Sequence, residues 1–267
     1  MRQIYIKITL IYFLVRLFRV RIFKNCNFVV MDFIKNNLAN ALTLANLFAG
    51  CVGAIHLISG DYQTTAICLI LSSIFDFFDG FVARAVKSNS NLGLQLDSLA
   101  DMVSFGLIPG LTMYKALEPF GAELLGLHLP FEIKYFGLLV TIFSCLRLAI
   151  FNLDEEQRYY FKGLNTPTNT VLLFGLYYAF KETGTFSFLF GNELLLVILT
   201  VLTSWLLISP IKMMAMKFKS KQLKDNYPKV VLLVGGIAIL VIFQTVGIPL
   251  LVIYYILVSL IFQGQLK

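Results

Sequence analysis

Acidic residues are rare in this chain, yet four aspartates fall within a single short stretch. Asp76, Asp79, Gly80, Ala83 and Arg84 recur three or four positions apart, and Gly93, Asp97 and Asp101 follow after a short gap. On helices, residues at those spacings share a face. The first set predicts one stripe, and the second predicts another on the next helix. The gap is short enough to make the two helices antiparallel neighbours, so four carboxylates converge. Carboxylates inside a membrane cost about 2.5–3.5 kcal/mol each at a helix centre and usually mark function. Four together repel one another, and one arginine cannot neutralise them. Divalent cations can, and an oxygen-only ligand set suits Mg2+, Mn2+ or Ca2+ rather than zinc. Two such ions bridged by carboxylates are a recurring arrangement for phosphoryl chemistry. Gly80, Ala83 and Gly93 take side-chain bulk away beside the acids, leaving room for a ligand near the backbone. Acid clusters also serve proton or cation pathways, and small residues also serve close helix packing. Spacing alone leaves these readings open.

The elements that must carry these residues are membrane helices. Hydrophobic residues make up 58% of the 267 and charged residues 14%, with a mean hydropathy of +0.80. A soluble domain is about 45–50% apolar and about 25% charged, so a soluble enzyme is excluded, and 25 Phe and 12 Tyr exclude a disordered chain. Eight apolar segments are predicted, near 41–59, 63–86, 94–116, 135–152, 167–181, 192–209, 229–245 and 247–263, the last two joined tightly around Gly247 and Pro249. The fold class is therefore an all-α integral membrane bundle of about eight spans. Residues 31–209 hold the first six segments, and 210–267 hold a basic loop and two additional helices.

The net charge of +7 comes almost entirely from residues 1–30, which hold six basic residues and no acidic one. That tail reads either as an amphipathic surface helix or as sequence upstream of a true start at Met31. Basic residues also gather after the second, fourth and sixth segments: Arg84 and Lys87; Arg158 and Lys162; and Lys212, Lys217, Lys219, Lys221, Lys224 and Lys229. The positive-inside rule places those loops, both termini and the acid cluster on the cytoplasmic side of a cytoplasmic (inner) membrane. A basic excess confined to one tail suits anionic lipid and argues for no nucleic-acid partner. Cys26, Cys51, Cys68 and Cys145 are scattered without metal-ligand or disulfide spacing and read as small hydrophobes.

The run from Asp76 to Asp101 reads D-x2-D-G-x2-A-R-x8-G-x3-D-x3-D, the signature of the CDP-alcohol phosphatidyltransferase family. All eight fixed positions are present. At about one in twenty per position, chance agreement at one register is on the order of 10⁻¹⁰. Further segments resemble the phosphatidylserine synthase branch of that family: Asn40, Thr43, Asn46 and Gly50 in the first span, Arg147 to Asn152, and Phe161 to Asn169. The resemblance covers roughly residues 38–262. It implies a membrane enzyme that transfers the phosphatidyl group from CDP-diacylglycerol to L-serine and releases CMP. It also implies that the segments of residues 31–209 are a six-helix core, and it implies a homodimer among membrane lipids, with divalent cations, Mg2+ or Mn2+, as cofactors.

The same resemblance implies roles. Asp76, Asp79, Asp97 and Asp101 hold the metals, and Asp101 doubles as general base. Gly80, Ala83, Arg84 and Gly93 receive the nucleotide and its phosphates. Thr43 and Asn46 either bond cytosine or bond neighbouring helices. Arg147, Asn152, Gly163, Pro167 and Asn169 shape the headgroup site, and for Arg147 the other reading is a side chain that snorkels to lipid phosphate. Ile150 stands where the branch carries a second basic residue, so the demand for a cation falls on Arg147. Two alternatives accompany this reading: the same chemistry with glycerol 3-phosphate or inositol as acceptor, and an ion-coupled membrane transporter.

Overall fold

The computed structural model of the protein describes residues 37–86, 91–153, 161–214 and 226–263. The basic tail 1–30, Lys87, Arg158, and Lys217, Lys219, Lys221 and Lys224 lie outside the described residues. Helices dominate. α1 spans Asn37–Ile58 and α2 Tyr62–Val86. α3 (Asn91–Asp101) runs through a π-helical turn, Met102–Leu107, directly into α4 (Ile108–Leu117). α5 is Leu138–Leu153, α6 Thr166–Thr183, α7 the short Ser187–Phe190 and α8 Glu193–Ile208. α9 covers Tyr227–Ile261. Each apolar segment predicted from sequence falls on a helix.

Four stretches are long and apolar enough to cross a membrane: Asn37–Ile58, Tyr62–Ala85, Ile133–Leu153 and Tyr227–Ile261, with α8 a shorter apolar helix. At most 39% of any of these four apolar windows is buried inside the chain. Phe48, Ile67, Ile142 and Val241 point outward, an arrangement water would penalise and lipid accepts. This is a membrane protein.

Inside, Leu57, Phe105, Ile108, Met113, Leu173 and Leu196 belong to one buried apolar cluster. Small and hydroxyl side chains bring the helices together, as expected where apolar surface gives no preference for protein over lipid. Gly50 of α1 faces Ser104, where an added Cβ would overlap the Ser104 hydroxyl. Ser72 of α2 donates to the Asn46 carbonyl at 3.2 Å, and Thr65 is within hydrogen-bond reach of the Gly53 carbonyl, at 3.1 Å.

The last two apolar segments turn elsewhere than predicted. α9 reverses at Gln244, with φ 47° and ψ −119°, not at Gly247 and Pro249. The returning half lies against the first half: the Tyr254 hydroxyl donates to the Val231 carbonyl at 2.9 Å, and Gly247 packs on the Ile239 carbonyl, where a Cβ would come within 2.8 Å. Gly247 is thus a close-approach residue beside the turn. The hairpin rests on α6 through Pro249 against Gly175.

Two short antiparallel pairings also depart from the all-helical expectation. β1 (Glu123–Leu124) pairs with β2 (Leu127–His128) across a tight turn. β3 (Phe161–Lys162) pairs with β4 (Lys212–Met213), fastening the approach to α6 to the segment after α8. The Tyr255 hydroxyl donates to the Met214 carbonyl at 3.0 Å, which ties the C-terminal hairpin to the same fastening.

Candidate active site

The end of α2 and the start of α3 bring the aspartates together. Carboxylate oxygens of Asp76, Asp97 and Asp101 lie within 4.8 Å of one another, each residue partly buried. Asp79 stands beside this trio, only 5% exposed, and accepts a hydrogen bond from the Thr43 hydroxyl at 2.6 Å. It lines the same cleft, of about 530 Å3, as Thr43, Asp76, Gly80, Arg84 and Asp97. Arg84 is the cation in that lining among the described residues, and its guanidinium lies over Gly80, 3.6 Å from where a Cβ would stand. Ala83 and Gly93 also face the cleft. Three close oxygen donors with little countercharge fit a hard divalent cation.

Thr43 and Asn46 meet the acids from α1. Both bond neighbouring helices. Thr43 reaches Asp79 on α2. Asn46 donates through Nδ2 to Asp101 Oδ1 at 3.4 Å, while its Oδ1 accepts from the Ser104 hydroxyl at 2.7 Å. Asn46 is fully buried and outside the cleft lining. Both thus contact the acids, and Thr43 also lines the cleft. Ser104 was missed by the sequence reading, although it stands three residues after Asp101 and so on the same helix face.

Directly after Asp101 the helix widens into the π turn. π turns are rare and are found frequently at functional sites. Two threonines of other helices bond its carbonyls: Thr141 of α5 donates to Gly106 at 3.1 Å, and Thr170 of α6 donates to Phe105 at 2.9 Å.

The predicted headgroup residues divide. Arg147 does not snorkel. It is 8% exposed, its guanidinium lies 5.3 Å from the Phe151 ring centre, and its Nε has no hydrogen-bond partner among the described residues. It borders a cavity of about 210 Å3 with Lys162, Leu207 and Ser209. Asn169 is fully buried, with neither amide atom paired among the described residues. The other three have local tasks. Asn152 donates to the Ser98 hydroxyl at 2.8 Å, tying α5 to α3. Gly163 turns the chain at φ +76°, and a Cβ there would come within 2.5 Å of the Leu207 carbonyl; its N–H donates to the Ile211 carbonyl at 2.8 Å. Pro167 sits in the first turn of α6 and faces apolar grooves. Asn165 caps α6, accepting from the Thr168 N–H at 2.8 Å, as a side-chain oxygen at a helix start commonly does.

The sequence matches the profile of the family described as CDP-alcohol phosphatidyltransferase over residues 36–206. It is similar to the CDP-diacylglycerol–serine O-phosphatidyltransferase of Bacillus subtilis, 30% identical over 178 residues, covering 66% of this chain and 89% of that protein. The enzyme of the same name from Helicobacter pylori strain J99 is 30% identical over 175 residues, covering 61% of this chain and 68% of that protein. The archaetidylserine synthase of Methanothermobacter thermautotrophicus is 28% identical over 181 residues, covering 66% and 68%.

Proposed function

This chain belongs to the CDP-alcohol phosphatidyltransferase family, and from that premise we propose that it transfers the phosphatidyl group of CDP-diacylglycerol to L-serine, giving phosphatidylserine and CMP. The observation that carries the reading is the meeting of Asp76, Asp97 and Asp101 within 4.8 Å at the edge of a cleft that also exposes Arg84. The names of the relatives supply the acceptor.

The family is divalent-metal dependent in general, and the close carboxylates of Asp76, Asp97 and Asp101 support assigning the ions to the acid cluster. Asp76, Asp79, Asp97 and Asp101 would hold Mg2+ or Mn2+, and the bound ions supply positive charge that offsets the pyrophosphate. The chain's own residues do the rest. Asp101 takes the proton from the serine hydroxyl while the Asn46 amide holds its Oδ1. The serine oxygen forms a bond to the lipid-side phosphorus. The bond from that phosphorus to the oxygen of CMP breaks, and CMP leaves with the electron pair. Arg84 lies at the cleft where that charge develops, and Gly80 beneath it leaves room for the phosphates. Thr43 keeps Asp79 fixed. Charge stabilisation and positioning of this kind are the main contributions a protein makes to phosphoryl transfer.

Arg147 and Asn169 present unpaired polar atoms on the helices that surround the turn after Asp101, and the reading gives them the serine head. We place the opening of the cleft on the cytoplasmic side, because Arg84 lines it and basic residues mark cytoplasmic loops. The working unit is a homodimer in the inner membrane, with lipids as neighbours.

CMP release tests the function. Purified protein in detergent micelles is given CDP-diacylglycerol, Mg2+ or Mn2+, and serine, glycerol 3-phosphate or inositol in turn. Serine should release CMP and form phosphatidylserine detectable by mass spectrometry. Release with glycerol 3-phosphate or inositol in place of serine would change the acceptor. No release with any alcohol, together with metal-driven ion flux in proteoliposomes, would make the acids a transport pathway.

A further inference from the structure

We infer that Ser144, Thr166 and Ser204, together with Arg147 and Asn169, form a closed polar pocket around the turn that follows Asp101, that it receives the zwitterionic head of the acceptor amino acid, and that Thr166 and Ser204 set its specificity. The inference rests on the serine reading above and adds Ser144 and Ser204, which no sequence motif singled out, and a role for Thr166.

Two helices, α5 and α6, pack on the π turn Met102–Leu107, and α8 packs on α5. α5 meets it through Thr141, bonded to the Gly106 carbonyl, and through Ser144, whose Cβ lies 3.1 Å from where a Gly106 Cβ would stand. α6 meets it through Thr170, bonded to the Phe105 carbonyl. α8 closes the group where it abuts the approach to α6: the Leu164 N–H donates to the Leu206 carbonyl at 2.9 Å, and Gly163 presses on Leu207. Arg147 shares its small cavity with Leu207 and Ile208 of α8. Ser204 lies one turn before Leu207, and Thr166 and Asn169 lie in the first turn of α6.

On these faces the Ser144 hydroxyl, Arg147 Nε, the Thr166 hydroxyl, both amide atoms of Asn169 and the Ser204 hydroxyl are buried with no hydrogen-bond partner among the described residues. All five residues are at least nine-tenths buried. This is not the habit of the bundle. Thr112, Thr200 and Thr203 return their hydroxyls to carbonyls of their own helices, as helical Ser and Thr commonly do. Buried polar atoms nearly always have a partner, so a group of unpaired ones on adjoining faces marks a place for a polar occupant.

The chemistry of the group selects the occupant. Arg147 and the first turn of α6 favour a carboxylate. The Asn169 carbonyl oxygen and the hydroxyls accept from an ammonium, and Asn169 Nδ2 donates. A carboxylate and an ammonium carried on one α-carbon answer both halves of the set. The third substituent, the serine hydroxyl, then faces Asp101. Inositol offers no charge to Arg147, and glycerol 3-phosphate offers no ammonium to Asn169.

Steady-state kinetics of the full chain test this. A neutral hydrogen bond contributes about 0.5–1.5 kcal/mol net, so Ser204→Ala should raise the serine KM roughly threefold to tenfold. Its KM for CDP-diacylglycerol should stay within about twofold, and its Tm should not fall. Thr166→Val should act in the same direction, with Thr166→Ser recovering most of the loss, which keeps the test open if Ser204→Ala does not fold. An unchanged serine KM in both Ser204→Ala and Thr166→Val would overturn the inference and leave these atoms bound to buried water only. Equal rises in both KM values would also overturn it, since that is the mark of a structural role. The wild-type acceptor panel keeps the two levels apart. Wild-type protein that releases CMP with another alcohol but not with serine refutes the serine reading itself, whatever the variants do.

Discussion

Replacing Asp97 by Asn should abolish turnover and yet stabilise the metal-free protein. The side chain keeps its size and loses its charge. Carboxylate oxygens of Asp76, Asp97 and Asp101 lie within 4.8 Å of one another. At an effective dielectric of about 20, two unit charges at that separation repel by about 3–4 kcal/mol. Asp97→Asn removes two of the three repelling pairs. Even if solvent and relaxation reduce the combined gain to about 2 kcal/mol, metal-free Tm should rise by roughly 4–8 °C for a chain of this size. Bound metal reverses the ranking. A ligand held by the native state alone adds about 2.7 kcal/mol at a hundred times its Kd, and the variant gives up much of that. Turnover should fall at least about a hundredfold, the scale on which one positioned electrostatic group acts. The assay is thermal unfolding of detergent-purified wild type and Asp97→Asn, each in EDTA and in Mg2+, beside CMP release. Near-wild-type turnover would refute the metal assignment. A metal-free variant that melts below metal-free wild type would refute the account of the acids as mutually repelling ligands.

Other parts of the structure can be tested with the same protein. Thr43→Val keeps shape and removes the 2.6 Å hydrogen bond to the buried Asp79; a bond to a charged group is worth about 1.5–3 kcal/mol, so kcat/KM for CDP-diacylglycerol should drop about tenfold to a hundredfold, and an unchanged value would detach Asp79 from the reaction. Gln244→Gly frees a residue held at φ 47°; strain of this kind costs about 1–3 kcal/mol, so Tm should rise by several degrees, whereas a fall would mean that the Gln244 side chain itself holds the reversal. Hydrogen bonds from the Thr64 hydroxyl and N–H keep the Asp61 carboxyl below its usual range at the start of α2. A lowered carboxylate pKa stabilises the fold above the unfolded value of about 4 and ceases to do so as pH falls through the folded one. The Tm deficit of Asp61→Ala should therefore be largest near neutrality and shrink in acid, and a pH-independent deficit would contradict the capping role.

What the sequence determined by itself follows from local rules. Helix periodicity alone placed Asp76 and Asp79 on one stripe and Asp97 and Asp101 on another, because residues three and four apart share a face whatever lies around them. Membrane class and the apolar segments followed from composition, because lipid leaves the backbone few ways to satisfy its polar groups. Ser104 was within reach of the same spacing rule and was overlooked. Other features depend on partners distant in the chain. Thr43 and Asn46 turned out to brace carboxylates 36 and 55 residues away, and nothing local to α1 distinguishes that use from a contact with a ligand. The reversal at Gln244 came three residues before the glycine expected to make it, because packing of Gly247 on the Ile239 carbonyl decides where the hairpin closes. The β3–β4 pairing joins residues about fifty apart, in segments too short to show a strand period. Arg147 and Ser204 carry no sign in the sequence that α5 and α8 bury polar atoms of theirs with no hydrogen-bond partner among the described residues. Burial belongs to the assembled bundle, so only the tertiary structure could separate side chains that face lipid or hold a helix from those left open to a substrate.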